Sequence, residues 1–423
     1  MERSPATRRN FCRTGLSFGA GLAASGLPLT SPALPAEAEK EKLTITGIRT
    51  GTPKRKKPWP EFEPAPGAWT PLGVEVASPM SIYPKYKARR DSFFEHLGPY
   101  AVEITTDKGI RGIGIGGDGV SFAIEKHLKK LLLGENALEI ERLWDIMWRS
   151  TLYYGRKGMV IHSISAIDNA LWDIAGQAMG VPVYRLLGGK LRDRVPAYAT
   201  SNDVEHLVDF GYRHIKLAMP HGPASGHEGM RKNFELVSRA REAVGPDGEV
   251  MLDCWMAGTE RYMIELAEML EPLRVYWMEE CLHPDDYAGF GRLRRDINST
   301  RIATGEHEYT RYGFKLLLDY EAADLWQPDM NWCGGLTELR RIAALAAAND
   351  IPLIPHAGWS GGCQHFIIGS RITRWCEMLM PPPGGPKEVY DRFEEENNIT
   401  RGPEGIYVRP HDRPGLGWDI DVV

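Results

Sequence analysis

Along its second half the chain repeats one pattern: a short apolar run that closes on a single ionisable residue, followed by a longer stretch with helical spacing. The runs read VMLD to Asp253, VYWME to Glu279, RIATGE to Glu306, LWQPD to Asp329, IPLIPH to His356 and RWCE to Glu377. Such a run followed by a helix is the βα unit of a parallel sheet. Steps of 26, 27, 23, 27 and 21 residues separate successive termini, each long enough for one helix and one strand. Two earlier strands fit the same register, 197–200 and 214–217, giving eight in all. The pattern predicts an α/β fold built on a (β/α)8-type barrel. In that fold the strand carboxyl ends share one face, so six of these termini surround one cavity.

The first half reads differently. Leu43 to Ile48 is a strand candidate, and Tyr100–Ile104 with Ile110–Ile115 makes a hairpin around Asp107-Lys108-Gly109. Between them, Gly51 to Phe94 is rich in Pro and charge and has little periodicity, the signature of a functional lid. Apolar spacing is helical from Phe122 to about Tyr154 and again over Ser163–Gly180. The expected layout is an N-terminal α+β capping domain over 43–165, the barrel over 166–390, and a strand-like tail over 391–423, with Ile406-Tyr407-Val408, that returns to complete the cap. Gly112, Gly114, Gly116 and Gly117 are not followed by Lys-Ser/Thr, so they predict a tight strand exit rather than a phosphate loop.

The amino terminus has its own pattern. Arg8-Arg9 precedes an apolar, glycine-rich stretch from Leu16 to Leu29 and then Ala36-Glu37-Ala38. This describes a twin-arginine-type export signal over 1–38, and a periplasmic mature protein with no stable membrane association after cleavage. Without that segment, which carries four arginines and two glutamates, the formal charge moves from −5 to −7. A mildly acidic chain with no long basic run argues against nucleic acid as a partner. Cys254, Cys281, Cys333, Cys363 and Cys376 have no CxxC spacing and read as packing residues.

One acid at a strand end is usually a helix cap. Three in successive units, Asp253, Glu279 and Glu306, followed by Asp329 and His356, are another matter. Buried carboxylates placed together repel and demand a cation between them, and oxygen ligands favour one Mg2+ ion.

The stretch Ala166-Ile-Asp-Asn-Ala-Leu-Trp-Asp-Ile-Ala-Gly-Gln, with Gly180-Val-Pro-Val-Tyr-Arg-Leu-Leu-Gly-Gly189, resembles the signature of the enolase superfamily, mandelate racemase group. Within the group, Leu252–Met256, Trp277–Leu282, Gly305-Glu-His307, Gln327-Pro-Asp329 and Trp332–Thr337 are most similar to the L-rhamnonate dehydratases, which are acid-sugar dehydratases. The resemblance implies that Asp253, Glu279 and Glu306 are the metal ligands. It makes His356 the general base, oriented by Asp329, and Glu377 a protonated acid that hydrogen-bonds the substrate carboxylate. Glu280 is expected to point away from the cavity by strand alternation. His307 is expected either to face the leaving group or to act as an electrophile, with a packed supporting histidine the plain alternative. Lys216 aligns with a lysine that steadies the substrate carboxylate, against a solvated barrel-end lysine. Arg90 falls on the substrate-binding arginine of the cap, while the family's substrate histidine has no counterpart, since Trp69-Thr70 stands there. Tyr153 and Tyr154, near the same rim, read as packed aromatics, with contact to substrate hydroxyls the alternative. Homo-oligomers are implied as well.

Dehydration of a sugar acid is the activity implied. Racemisation needs a base on each face, and Ala218 occupies the place of the second lysine. A non-catalytic periplasmic sugar-acid binder has no need of a positioned base.

Overall fold

The computed structural model describes residues 42–71, 73–86, 100–117 and 119–423. The expected signal, 1–38, and Arg90 lie outside the described residues.

Eight strand positions form the barrel. Strands β5 (Val195–Thr200), β6 (His214–Ala218), β7 (Glu249–Asp253), β8 (Trp277–Glu279), β9 (Arg301–Thr304) and β10 (Leu325–Trp326) pair in sequence order, all parallel. A parallel bridge from Trp326 to Leu353 supplies the seventh position, and the Leu353 N–H donates to Ile372 O at 3.1 Å. The eighth, β11 (Cys376–Met378), pairs back on β5 and closes the ring. Helices such as Gly226–Val244 and Glu260–Leu270 fill the connections and bury their apolar faces on the strands. All five described cysteines are free and buried in this half. No described helix is long and apolar enough to cross a membrane.

In the cap, β1 (Ile45–Gly51), β3 (Ala101–Thr106) and β4 (Arg111–Ile115) form an antiparallel sheet, while β2 (Pro53–Arg55) lies apart from it. The helix Met159–Ala178 packs across β4. Gly112, Gly114 and Gly116 are explained by that crossing rather than by a strand exit. A Cβ at each would strike the helix at Ala170 O, Ala166 O and His162 O respectively. Two residues of strand advance about 6.6 Å and four residues of helix about 6 Å, so the two repeats stay in step. The helical stretch expected from Phe122 to Tyr154 is broken. A π turn, Ile124–Leu128, interrupts it, and Gly134 at φ 86° ends it before a new helix, Ile140–Thr151.

The enolase-type signature finds its purpose here. From the helix Met159–Ala178, Ser165 Oγ accepts the Gly334 N–H at 2.9 Å, Asn169 Oδ1 the Leu336 N–H at 3.1 Å and Asp168 Oδ2 the Thr337 N–H at 2.8 Å. These are the orphan donors at the start of the barrel helix Gly335–Ala347, which has no cap side chain of its own. The expected boundary between 165 and 166 therefore falls inside one continuous helix, as does that between 390 and 391, within the helix Lys387–Glu396.

The tail divides its duties. Strands β12 (Thr400–Gly402) and β13 (Gly405–Val408) form a hairpin, and β13, which contains Ile406 to Val408, lies antiparallel on barrel strand β5 rather than on the cap. The return to the cap is made by β14 (Ile420–Val422), paired with β2. The lid is pinned to the barrel: Trp69 N–H donates to Asp203 Oδ2 at 2.8 Å, and Ala77 N–H to Met219 O at 2.8 Å. Trp69 is buried against Val74, Val76, Ala218 and Leu379.

Candidate active site

The barrel strands deliver the predicted termini to one rim. Asp253 ends β7 and Glu279 ends β8, and Glu306 follows β9 by two residues. One oxygen from each lies within 4.8 Å of the others. Backbone strain gathers beside these residues. Trp255, Met256, Glu280 and Ala357 all hold positive φ, from 38° to 64°, in the region L-residues disfavour.

The donor set suits a hard divalent cation. Glu279 is fully buried, and its Oε1 accepts from Lys216 Nζ at 2.6 Å while Oε2 accepts from Trp277 Nε1 at 2.9 Å and Gln327 Nε2 at 2.6 Å. A carboxylate has about four lone-pair sites, so one remains free. Glu306 Oε2 is buried without any hydrogen bond, and burial pushes the Glu306 carboxyl up to about 8. A desolvated carboxylate oxygen of this kind calls for positive charge.

His356 stands beside the three acids. Its Nδ1 contacts Asp329 Oδ2 at 2.7 Å, and its Nε2 lies 3.8 Å from Glu306 Oε2. Burial pushes the imidazole down, but Glu306 and then Asp329 outweigh it and raise it to about 10. A cation held by Glu306 would offset that pull. Asp329 is held in turn by the Asn331 N–H at 2.6 Å, and Asn331 Oδ1 meets Asn169 Nδ2 at 3.4 Å.

Two expectations are corrected, and for Lys216 the alternative reading is excluded. Lys216 is no solvated lysine: it is 1% exposed and bridges Glu279 at 2.6 Å and Glu377 at 2.8 Å. Glu377 is held as a hydrogen-bond acceptor, not in the donor arrangement expected. Its Oε1 accepts from Thr200 Oγ1 at 2.6 Å, its Oε2 accepts the Ala357 N–H at 2.9 Å, and although burial pushes the carboxyl up, Lys216 and His356 bring it below its ordinary value. Glu280 does not point away. Its positive φ of 50° breaks the alternation and turns the carboxylate to within 3.1 Å of His307 Nδ1. His307 sits at the rim, its side chain 22% exposed.

Tyr153 is not packed, whereas Tyr154 hydrogen-bonds His127 Nδ1 through its hydroxyl at 2.7 Å. Tyr153 is 85% exposed, and both line an outer groove with Trp148 and Tyr312. Sequence reasoning missed Trp277 and Gln327 as partners of Glu279. The signal was present for Trp277, which lies two residues before Glu279 and so on the same face of β8.

An imidazole backed by a carboxylate, set against an acid cluster under a lid, is equipped to remove a proton next to a carboxylate. A capped barrel with that chemistry at its mouth defines the enolase class of enzymes. Sequence similarity narrows the class. Residues 98–188 match the mandelate racemase / muconate lactonizing enzyme N-terminal domain, and residues 199–422 match the enolase C-terminal domain-like family. The chain belongs to the mandelate racemase / muconate lactonizing enzyme family of the enolase superfamily. It is 42% identical to L-rhamnonate dehydratase of Saccharopolyspora erythraea over 346 residues, 81% of this chain and 88% of that one. It is similar in structure to rhamnonate dehydratase from Gibberella zeae complexed with Mg, with a TM-score of 0.77 and 35% identity, covering 92% and 96% of the two chains. The 3,6-anhydro-D-galactonate cycloisomerase from Zobellia galactanivorans is a further neighbour, with a TM-score of 0.67 and 28% identity, covering 90% and 97%.

Proposed function

We propose that this chain is a Mg2+-dependent hydro-lyase that converts a sugar acid, L-rhamnonate or a stereochemical relative, to a 2-keto-3-deoxy acid. One observation carries the reading: the free nitrogen of the Asp329-backed His356 lies 3.8 Å from Glu306, so a base adjoins the cation-binding acids. The 42% identity to an L-rhamnonate dehydratase and the Mg-complexed structural neighbour support it.

Asp253, Glu279 and Glu306 would hold Mg2+, which would supply a Lewis acid against the charge building on the substrate carboxylate. Lys216 has two N–H groups committed to Glu279 and Glu377, and its third is available to the same carboxylate. His356 Nε2 takes the C2 proton, and the electron pair spreads into the carboxylate as an enediolate. Collapse of that charge breaks the C3–O bond, and the proton on His356 leaves with the hydroxyl as water. The resulting enol tautomerises to the 2-keto acid. Asp329 favours the imidazolium while it lasts. Ionised Glu377 fixes Lys216 and, through the Ala357 N–H, the loop behind His356. Arg90 is the proposed contact for the distal end of the substrate.

A semicarbazide assay for 2-keto product, with Mg2+ and a library of hexonic, 6-deoxyhexonic, pentonic and aldaric acids, tests the reading. Product from L-rhamnonate or a relative is expected; silence across the library with metal bound would sink it. Export through the 1–38 signal and homo-oligomerisation belong to the same proposal. Cell fractionation and light scattering test them, and a cytoplasmic monomer would refute both.

A further inference from the structure

A second imidazole at the rim is tied to a buried carboxylate, and the mechanism above leaves that carboxylate without a task. Glu280 is 1% exposed and takes no place among the three clustered acids. Its Oε1 accepts from Thr304 Oγ1 at 2.8 Å and from the Gly305 N–H at 3.4 Å, and its Oε2 lies 3.1 Å from His307 Nδ1. Its backbone is held in the disfavoured φ region by the Glu280 N–H donating to Ala303 O at 3.0 Å and by the Met256 N–H donating to Glu280 O at 2.7 Å.

A buried charge in a strained backbone costs stability twice, so a merely structural acid at this position is hard to account for. The other end of the contact explains it. His307 Nε2 makes no hydrogen bond among the described residues, and the side chain keeps 22% of its surface open. Trp332 packs on both imidazoles, with ring centroids 5.4 Å from His307 and 5.1 Å from His356. Each histidine is thus anchored at Nδ1 by a carboxylate, His307 nearer to Glu280 at 3.1 Å than to Glu306 at 3.5 Å, and steadied by the same indole.

We propose that Glu280 is a positioning residue: it accepts the Nδ1–H of His307 and thereby holds Nε2 towards the bound sugar acid, as hydrogen-bond partner to one of its hydroxyl oxygens. The Glu280–His307 pair is a second dyad, aimed at a hydroxyl, beside the Asp329–His356 dyad aimed at the C2 proton. This rests on the sugar-acid reading above for its substrate, but not for the Glu280–His307 contact itself.

Two measurements on the full-length protein test it. Side-chain 15N–1H spectra without substrate contain the His307 Nδ1–H signal, identified by its loss in His307→Asn. In Glu280→Gln that signal is expected to shift upfield and exchange faster, with restoration in Glu280→Asp; an unchanged signal overturns the contact. In steady-state assays with Mg2+, Glu280→Gln is expected to lower kcat/KM by about 10- to 100-fold, the range typical for residues that orient a ligand's partner. Adding it to His307→Asn is expected to cause no further loss, and Mg2+ affinity by calorimetry is expected to stay within about twofold, since a cycle isolates the coupling. Losses that multiply in the double variant, or a Glu280→Gln enzyme as active as wild type, would overturn the positioning role. Wild-type protein silent on every sugar acid would refute the substrate reading instead, and the spectra would then decide the dyad alone.

Discussion

Two layers of side chains fill the barrel, two residues apart on the same strands, and they have opposite characters. The lower layer is Tyr198, Met251, Trp277, Leu325, Ile354 and Trp375, buried together with Ala303 as an apolar plug. One step up the pleat stand Thr200, Asp253, Glu279, Gln327, His356 and Glu377. The backbone is the same and the side chains point the same way, so the difference is one of solvent. Below, aromatic rings such as Tyr198 and Trp277, 5.5 Å apart and edge to face, exclude water. Above, that dry floor strengthens every charge interaction, and the acids survive by sharing donors: Lys216 serves both Glu279 and Glu377. Trp277 belongs to both layers, since its ring packs below while its Nε1–H reaches up to Glu279.

If the layers divide stability from chemistry, they should fail separately. The largest effect is expected from His356→Asn, a loss of about 10²- to 10⁴-fold in turnover with Tm and Mg2+ binding unchanged. Activity above about a hundredth of wild type would assign the proton to another group. Next comes Trp375→Ala in the plug, expected to cost about 3–5 kcal/mol in urea unfolding. A cost as large for His356→Asn would erase the division. Removing the cation should fall between the layers: Mg2+ at about 100 times its Kd adds roughly 2.7 kcal/mol of stability over chelated protein. Glu279→Gln is expected to abolish that gain, and unchanged metal affinity would remove Glu279 from the ligand set. Smallest is Trp277→Phe, which keeps the plug but deletes one donor to Glu279. It is expected to cost about 1 kcal/mol and to weaken Mg2+ binding measurably in calorimetry, whereas no change in either would make the indole simple packing.

The upper layer was legible in the sequence because burying an acid in an apolar run is so costly that each instance announces a purpose. Asp253, Glu279, Glu306, Asp329 and His356 come together on that logic. What escaped was local backbone geometry. Strand alternation sends Glu280 outward, and only the positive φ brings it back, a turn that no side-chain pattern encodes. The acceptor role of Glu377 escaped for a related reason, since it depends on Lys216 arriving from β6, remote in sequence. The purpose of Gly112, Gly114 and Gly116 depends on a helix some 50 residues later, and the lid, lacking periodicity, gave no register to read.

The helix Met159–Ala178 is a party wall. On one side it accepts the glycines of β4, and on the other it caps the helix Gly335–Ala347 just beyond Asp329. A cap borrowed from a relative would have to bring matching glycines, and its helix would have to meet the 334–337 turn with hydroxyl, carboxylate and amide in the same places. The two halves are therefore expected to be exchanged between relatives only together. New substrates are expected to be won by substitutions in the lid and rim loops, where neither side of the wall is disturbed.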